Sequence, residues 1–346
     1  MTNLADLTSL RVGGPAPVVA TDSESPLIEA IDLAGPGLLM LGGGSNVVCA
    51  DQLDGITVVR DLRQSVTVDQ TTDQVTINAT AGANWDQLVA QAVAEGWSGF
   101  EALSGIPGGV GAAPVQNIGA YGAEVAQLIT QVRAYDRQLS QVVALAAGQL
   151  GFGYRDSTLK RSLTGHSPTP RWVVLDVTFT APRSPLSAPI GYGELANLLG
   201  IALGQRAPLA QVRQAVLSLR RSKGMVLDPT DHDTWSAGSF FTNPVIDAAR
   251  VAWWPPGAPV FDVGPGPDGQ SQVKASAAWL ISQAGVAKGW GLNARATTSH
   301  KHVLALTNRG GADAQDIIDL AQAIQAKVSG AFGVTLTLEP VLVGFP

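Results

Sequence analysis

Only one cysteine occurs in the 346 residues, so no disulfide can close within the chain, and Cys49 reads as a small buried hydrophobe in a reducing compartment. The four histidines, His166, His232, His300 and His302, lack metal-ligand spacing; the last two lie two apart with no cysteine or acid cluster beside them, so no metal site is expected. Runs of lysine or arginine are missing from a chain of net charge −6, which argues against a nucleic-acid footprint; Arg220-Arg221-Ser222-Lys223 comes nearest. Long apolar runs are missing too. The longest uncharged stretches are broken by Gly and Pro and fall short of the ~20 apolar residues that span a bilayer. The opening MTNLADLTSLRVGG has neither the basic region nor the apolar core of a secretory signal. The expectation is a cytoplasmic protein with no membrane, nucleic-acid or obligate protein partner.

Glycine is abundant instead, and it is concentrated where it matters. Ser104 to Val125, SGIPGGVGAAPVQNIGAYGAEV, carries one charge in 22 residues, yet its glycines at 105, 108, 109, 111, 119 and 122, with Pro107 and Pro114, break any continuous helix or strand. Such a segment suits backbone folded tightly against something bulky, with peptide N–H groups turned to an anion. A second cluster follows the short apolar run Leu38–Leu41, where Gly42-Gly43-Gly44-Ser45-Asn46 leads into Val47-Val48. No Lys-Ser/Thr follows, so it is not a P-loop, and the resumed apolar run does not suit a dinucleotide fingerprint. Either cluster alone could be a plain tight turn. Together they point to a cofactor with phosphates.

The length predicts two or three domains. Residues 1–61 read as a small α and β lobe with strands at 18–20, 38–41 and 56–59 and a helix from Pro26. A second unit, 62–223, carries strands at 65–68, 74–79, 128–135, 141–145 and 172–179, a helix capped by Asn84, and a closing helix over 209–223. A third region, 224–333, holds helices over 275–284 and 313–328, a strand at 303–307, and a Pro- and Gly-rich surface loop over 255–269. A last strand over 334–343 is expected, with 334–346 completing the second unit. Alternating elements without a regular β-α rhythm favour the α+β class.

Three places could carry chemistry. Gly238-Ser239-Phe240-Phe241-Thr242-Asn243-Pro244 sets a hydroxyl between a glycine and two aromatics; it reads as a turn serine or, if active, as a proton donor, since Gly-x-Ser-x-Gly is absent. Arg155, in Gly153-Tyr154-Arg155-Asp156-Ser157, either pairs locally with an acid such as Asp156 or, buried, favours an oxyanion or carboxylate. Glu339 is the only charge in the strand pattern 334–343. Alternation puts it on the face of Thr335, Thr337 and Val341, where it could simply meet solvent.

In order along the chain, Thr8–Gly14, Leu41–Val47, Ile106-Pro107-Gly108 through Gln116–Gly122, Gly153–Ser157, Gly238–Pro244 and Leu338-Glu339 resemble the UDP-N-acetylenolpyruvoylglucosamine reductase family, the MurB flavoenzymes of peptidoglycan synthesis. The resemblance implies a two-lobed FAD-binding unit of the vanillyl-alcohol-oxidase type, FAD between the lobes, and a third α+β lobe that closes on a sugar nucleotide. It places FAD against Gly42, Gly43, Gly44, Ser45, Asn46, Val47, Ser104, Ile106, Pro107, Gly108, Gly111, Ala113, Ile118 and Gly119. With no histidine in either glycine segment, the FAD is expected to be dissociable. Ala112 and Ala113 stand where relatives often carry serine, so only backbone contacts are carried over there.

The implied reaction passes hydride from NADPH to FAD and then to the enolpyruvyl ether of UDP-N-acetylglucosamine enolpyruvate, giving UDP-N-acetylmuramate. Arg155 and Glu339 match the family residues that meet charge developing on the carboxylate, and Ser239 matches the proton donor. Glu339 would assist as a neutral acid if burial raised its pKa. Gly191-Tyr192-Gly193 matches the tyrosine loop of the family's first type. Tyr121, Tyr192, Lys223, Asn243, Lys288 and His302 are the substrate-binding candidates. An oxygen-using sugar or alcohol oxidase would explain the glycines but leave Tyr192, Lys223 and Ser239 without a role; a regulatory nucleotide binder would leave Arg155, Ser239 and Glu339 so.

Overall fold

The computed structural model describes residues 1–163, 167–266 and 268–345, so His166 lies outside the described residues. The chain groups into two compact units, one of Met1–Thr2, Pro15–Gly44 and Leu53–Val226, the other of Asn3–Gly14, Ser45–Gln52 and Leu227–Pro346. The two flavin lobes expected at 1–61 and 62–223 thus fall largely in one unit, and the grouping divides the first glycine turn after Gly44.

The first unit contains two sheets of different kind. Val18–Thr21, Thr57–Asp61 and Leu38–Met40 form a parallel three-stranded sheet with Thr57–Asp61 central. The helix Glu24–Ala34 buries Leu27 and Ile31 in one cluster with Leu38 and Val59. The second sheet is antiparallel, in the order Gln141–Ala146, Ile129–Asp136, Trp172–Pro182, Gln74–Thr80 and Val66–Gln70. Its strand Gln74–Thr80 alternates Val75, Ile77 and Ala79 inward, as a half-buried strand must. Against that face packs the helix Trp85–Glu95, whose N-cap Asn84 accepts from Gln87 N and whose Trp85 meets Phe100 and Phe179. Trp85 Nε1 donates to Leu103 O at 3.1 Å, which pins the start of the long glycine segment to this core.

In the second unit the helix Ala314–Phe332 is the longest element, capped reciprocally by Asp313 and Asp316. Its apolar stripe, Ile317, Ile318, Ala321, Ile324 and Val328, shares a core with Phe240, Phe241, Leu280 and Ile281. Two expectations change here. The Pro- and Gly-rich stretch 255–269 is not loop throughout: Val260–Pro265 is the edge strand of an antiparallel sheet with Ser271–Ala275 and Val245–Asp247. Val260, Phe261 and Val263 are good strand formers, and the Gly and Pro residues gather at the turn instead. The last strand covers Val341–Val343 only, and it runs parallel to Val47–Cys49 inside the second unit rather than completing the sheet of the first.

Candidate functional site

Glycine is required where the two glycine clusters approach within the first unit. A Cβ at Gly43 would stand 2.7 Å from Gly108 Cα, and one at Gly111 would stand 2.5 Å from Ala81 Cβ. Gly42 and Gly43 are exposed and Gly108 half-buried, so the backbone here stays open to a ligand while it packs against itself. Ile106, Gly111, Ile118 and Gly119 are also half-buried, and Pro107 is exposed. Ser104 and Ala113 are buried, and the Ser104 hydroxyl donates to Glu101 O at 2.7 Å, so its role here is to close a turn. Ser45, Asn46 and Val47 belong to the second unit, where Asn46 Nδ2 donates to Glu339 O at 3.4 Å.

Arg155 sits in left-handed backbone, φ 53°, and its guanidinium donates to Gly119 O at 2.8 Å and Asn117 O at 3.4 Å. The local pair with Asp156 considered from the sequence is not its contact: Asp156 pairs with Arg161. Two carbonyls from the glycine segment thus fix the direction of a planar guanidinium, the side chain suited to meeting a carboxylate or other oxyanion.

Three of the substrate-binding candidates come together in the first unit. Tyr121 and Tyr192 meet edge to face with centroids 5.5 Å apart. Lys223, the C-cap of the helix Leu209–Ser222, has its ammonium 5.7 Å from the Tyr121 ring centre and 2.5 Å from Glu194 Oε2. Tyr192 is 40% exposed and caps the short helix Gly193–Leu199. Burial pushes the Tyr121 phenol up to about 12, with Arg220 opposing the shift, so this ring offers a neutral hydroxyl over the ordinary pH range.

Sequence reasoning missed two residues of this cluster. Glu194 pairs with Lys223, and half-buried Arg220 lies beside Tyr121; its Nη2 donates to Met225 O at 2.9 Å, while Nε has no hydrogen-bond partner among the described residues. Desolvation lowers the Arg220 pKa. The signal was available in helix periodicity: Arg213 and Arg220, seven apart, share a face, and Arg213 pairs with Asp86 at 2.6 Å.

The segments that carry Ser239 and Glu339 pair in the second unit. Phe241 bridges antiparallel to Leu338, and Glu339 N donates to Phe240 O at 3.0 Å, which brings Glu339 beside the turn that carries half-buried Ser239. Thr242 N donates to Thr337 O at 3.0 Å, so the pairing extends past one bridge. The same turn reaches the segment of His302, since Phe240 N donates to Leu304 O at 2.8 Å and Ala305 N to His302 O at 3.1 Å. Asn243 caps a helix, its Oδ1 accepting from Ala277 N at 2.9 Å. Lys288 is exposed.

The family model described as FAD binding domain matches residues 15–144, and the one described as UDP-N-acetylenolpyruvoylglucosamine reductase, C-terminal domain, matches 228–343. The UDP-N-acetylenolpyruvoylglucosamine reductase of Thermobifida fusca is 48% identical, covering 99% of this chain and 96% of its own. The chain belongs to this family. The reductase of Salinispora arenicola is 49% identical over 99% of this chain and 94% of its own. The MurB crystal structure from Thermus caldophilus matches with a TM-score of 0.65 at 23% identity, covering 99% and 97% of the two chains, which supports the fold. Like its family, the chain is an oxidoreductase with an FAD-binding domain, and the open glycine approach between Gly43 and Gly108 fits the close backbone contact a pyrophosphate needs. Among the described residues no helix is long and apolar enough to cross a membrane.

Proposed function

We propose that this chain reduces the enolpyruvyl ether of UDP-N-acetylglucosamine enolpyruvate to UDP-N-acetylmuramate, in the cytoplasm, with NADPH as donor. The pairing of Glu339 with Phe240 supports the reading most directly, because it sets a carboxyl group beside the turn of a candidate proton donor. Gly42–Gly44, Ser45–Val47, Ser104, Ile106, Pro107, Gly108, Gly111, Ala113, Ile118 and Gly119 would hold FAD without a covalent bond. Bound there, FAD would supply the hydride chemistry between NADPH and the enolpyruvyl double bond.

The residues of the chain supply what an unactivated enol ether carboxylate lacks as a hydride acceptor. We assign Arg155 and Glu339 to the negative charge that develops on the carboxylate as hydride arrives. Carbonyl contacts to Gly119 and Asn117 orient the Arg155 guanidinium. Ser239 then protonates the adjacent carbon; its hydroxyl is a weak acid in water, but an enolate carbon is basic enough to take the proton when geometry is fixed. Lys223 and Tyr192 are assigned to the diphosphate and uridine end, with Tyr121, Asn243 and His302 as further contacts. Lys288 carries the weakest support.

The test is anaerobic absorbance of the purified holoenzyme. Flavin bands should bleach on adding NADPH and return on adding UDP-N-acetylglucosamine enolpyruvate. Bleaching without return rejects this substrate, and rapid return with oxygen alone would indicate an oxidase.

A further inference from the structure

Asn117 is fully buried, and its backbone has φ 45°, a conformation that asparagine tolerates better than most residues. Its side chain ties three segments together. Nδ2 donates to Glu124 Oε2 at 2.8 Å and to Gly153 O at 3.0 Å, while Oδ1 accepts from Ala126 N at 3.0 Å. An amide is the neutral side-chain group that donates twice and accepts at once, so the site is matched to asparagine rather than merely occupied by it.

Each of these bonds bears on Arg155. Gly153 lies two residues before it, in a tight turn where Gly153 N and Asp156 O, and Asp156 N and Gly153 O, pair at 3.0 and 3.2 Å. The carbonyl of Asn117 itself accepts from Arg155 Nη1, and Gly119, two residues on, accepts from Nη2. Lys160 Nζ donates to Arg155 O at 2.8 Å and holds the other side of this left-handed residue. Ser157 Oγ donates to Val115 O, a second tie from the same turn to the same glycine segment.

We propose that Asn117 is the positioning residue of Arg155: its amide fixes the turn that carries the arginine, and its carbonyl aims the guanidinium. The inference rests on the role assigned to Arg155 above. It explains why the motif around Asn117 is built as an L-residue in left-handed backbone where glycine would be less strained. The amide is needed there.

The experiment compares holoenzyme carrying Asn117→Asp or Asn117→Gly, each alone and combined with Arg155→Lys, by rapid mixing. Asp keeps the acceptor for Ala126 N and loses both donors; Gly keeps the backbone conformation and loses the amide, and serves if the first variant does not load flavin. Flavin content and reduction by NADPH should match the unsubstituted enzyme. Reoxidation by UDP-N-acetylglucosamine enolpyruvate should slow by roughly ten- to a hundred-fold, the scale of a small misplacement of a reacting group. In the Arg155→Lys background the same substitution should cost less than about twofold, because residues that act through one another are not additive. Reoxidation within about twofold in the single variant, or a full additive loss in the double, overturns the inference while leaving Arg155 in place. Unchanged reoxidation in Arg155→Lys alone overturns the role of Arg155 and this inference with it. Loss of both half-reactions together in both single variants marks Asn117 as a folding residue and overturns it as well.

Discussion

Lys223 Nζ stands 2.5 Å from Glu194 Oε2, two residues after Tyr192, so the ammonium assigned to substrate phosphates is already paired with a carboxylate. To meet a diphosphate it has to give up that partner. The pair is part-exposed, and such pairs are worth about 0.2–1 kcal/mol. Glu194→Gln should therefore lower KM for the UDP-linked substrate by up to about fivefold at low salt, with the gain shrinking as ionic strength rises. Lys223→Ala should raise KM in the same assay. A Glu194→Gln enzyme with raised KM would mean that Glu194 orients the lysine rather than competing for it.

Ser239 precedes Phe240, whose carbonyl accepts from Glu339 N, but is assigned a different task from Glu339, and the half-reactions separate the two. Ser239→Ala should leave NADPH-driven bleaching of the flavin unchanged and slow the return of its absorbance by about 10²–10⁴-fold, the usual range for a lost acid–base group. Glu339→Gln keeps the shape and removes the charge. If it reoxidises the flavin as fast as the unsubstituted enzyme, Glu339 has no part in proton transfer or charge stabilisation.

Local features of both units were legible in the sequence. Asn84 caps its helix as the pattern required, the five antiparallel strands of the first unit fall within three residues of their expected ends, and Asp313 opens the long helix. Patterns that depend on distant partners were not. Residues 334–337 alternate in burial like a strand, yet the segment makes one bridge, Leu338 to Phe241, with flanking backbone hydrogen bonds at Thr337 and Glu339, and the strand proper begins at Val341. Within the candidate site, Arg155 suggested a partner next in sequence, whereas its acceptors are carbonyls more than thirty residues away. Side-chain type announces the chemistry; the partner is chosen by topology, which local spacing does not encode.

Gly43 and Gly108 come within a distance that no side chain can enter: a Cβ on Gly43 would meet backbone atoms of Gly108 at 2.7 and 3.2 Å. Backbone cannot swing aside as the end of a flexible side chain can. Gly43→Ala should cost about 1–3 kcal/mol through overpacking and reduce the flavin carried through purification. The ratio of flavin to protein absorbance and the thermal midpoint check both. Gly148→Ala is the control, since a Cβ there meets nothing within 4 Å. Equal flavin content in the two variants would count against this approach as part of the FAD site.

Cys49, fully buried on the strand paired with Val341–Val343, should be chemically silent in the native protein. Burial raises its thiol from the ordinary 9.0 to about 12. At pH 8 the thiolate fraction is then roughly one part in ten thousand, and the thiolate is the reactive form. A raised folded-state pKa means the neutral thiol is favoured, so this contribution to stability is complete below about pH 9 and is lost as pH climbs toward 12. An aromatic disulfide reagent at pH 8 should release no thiolate from native protein over minutes and one equivalent in denaturant. Prompt native labelling would show that this strand opens readily, and thermal midpoints measured between pH 7 and 10 should then fall earlier than burial of the thiol predicts.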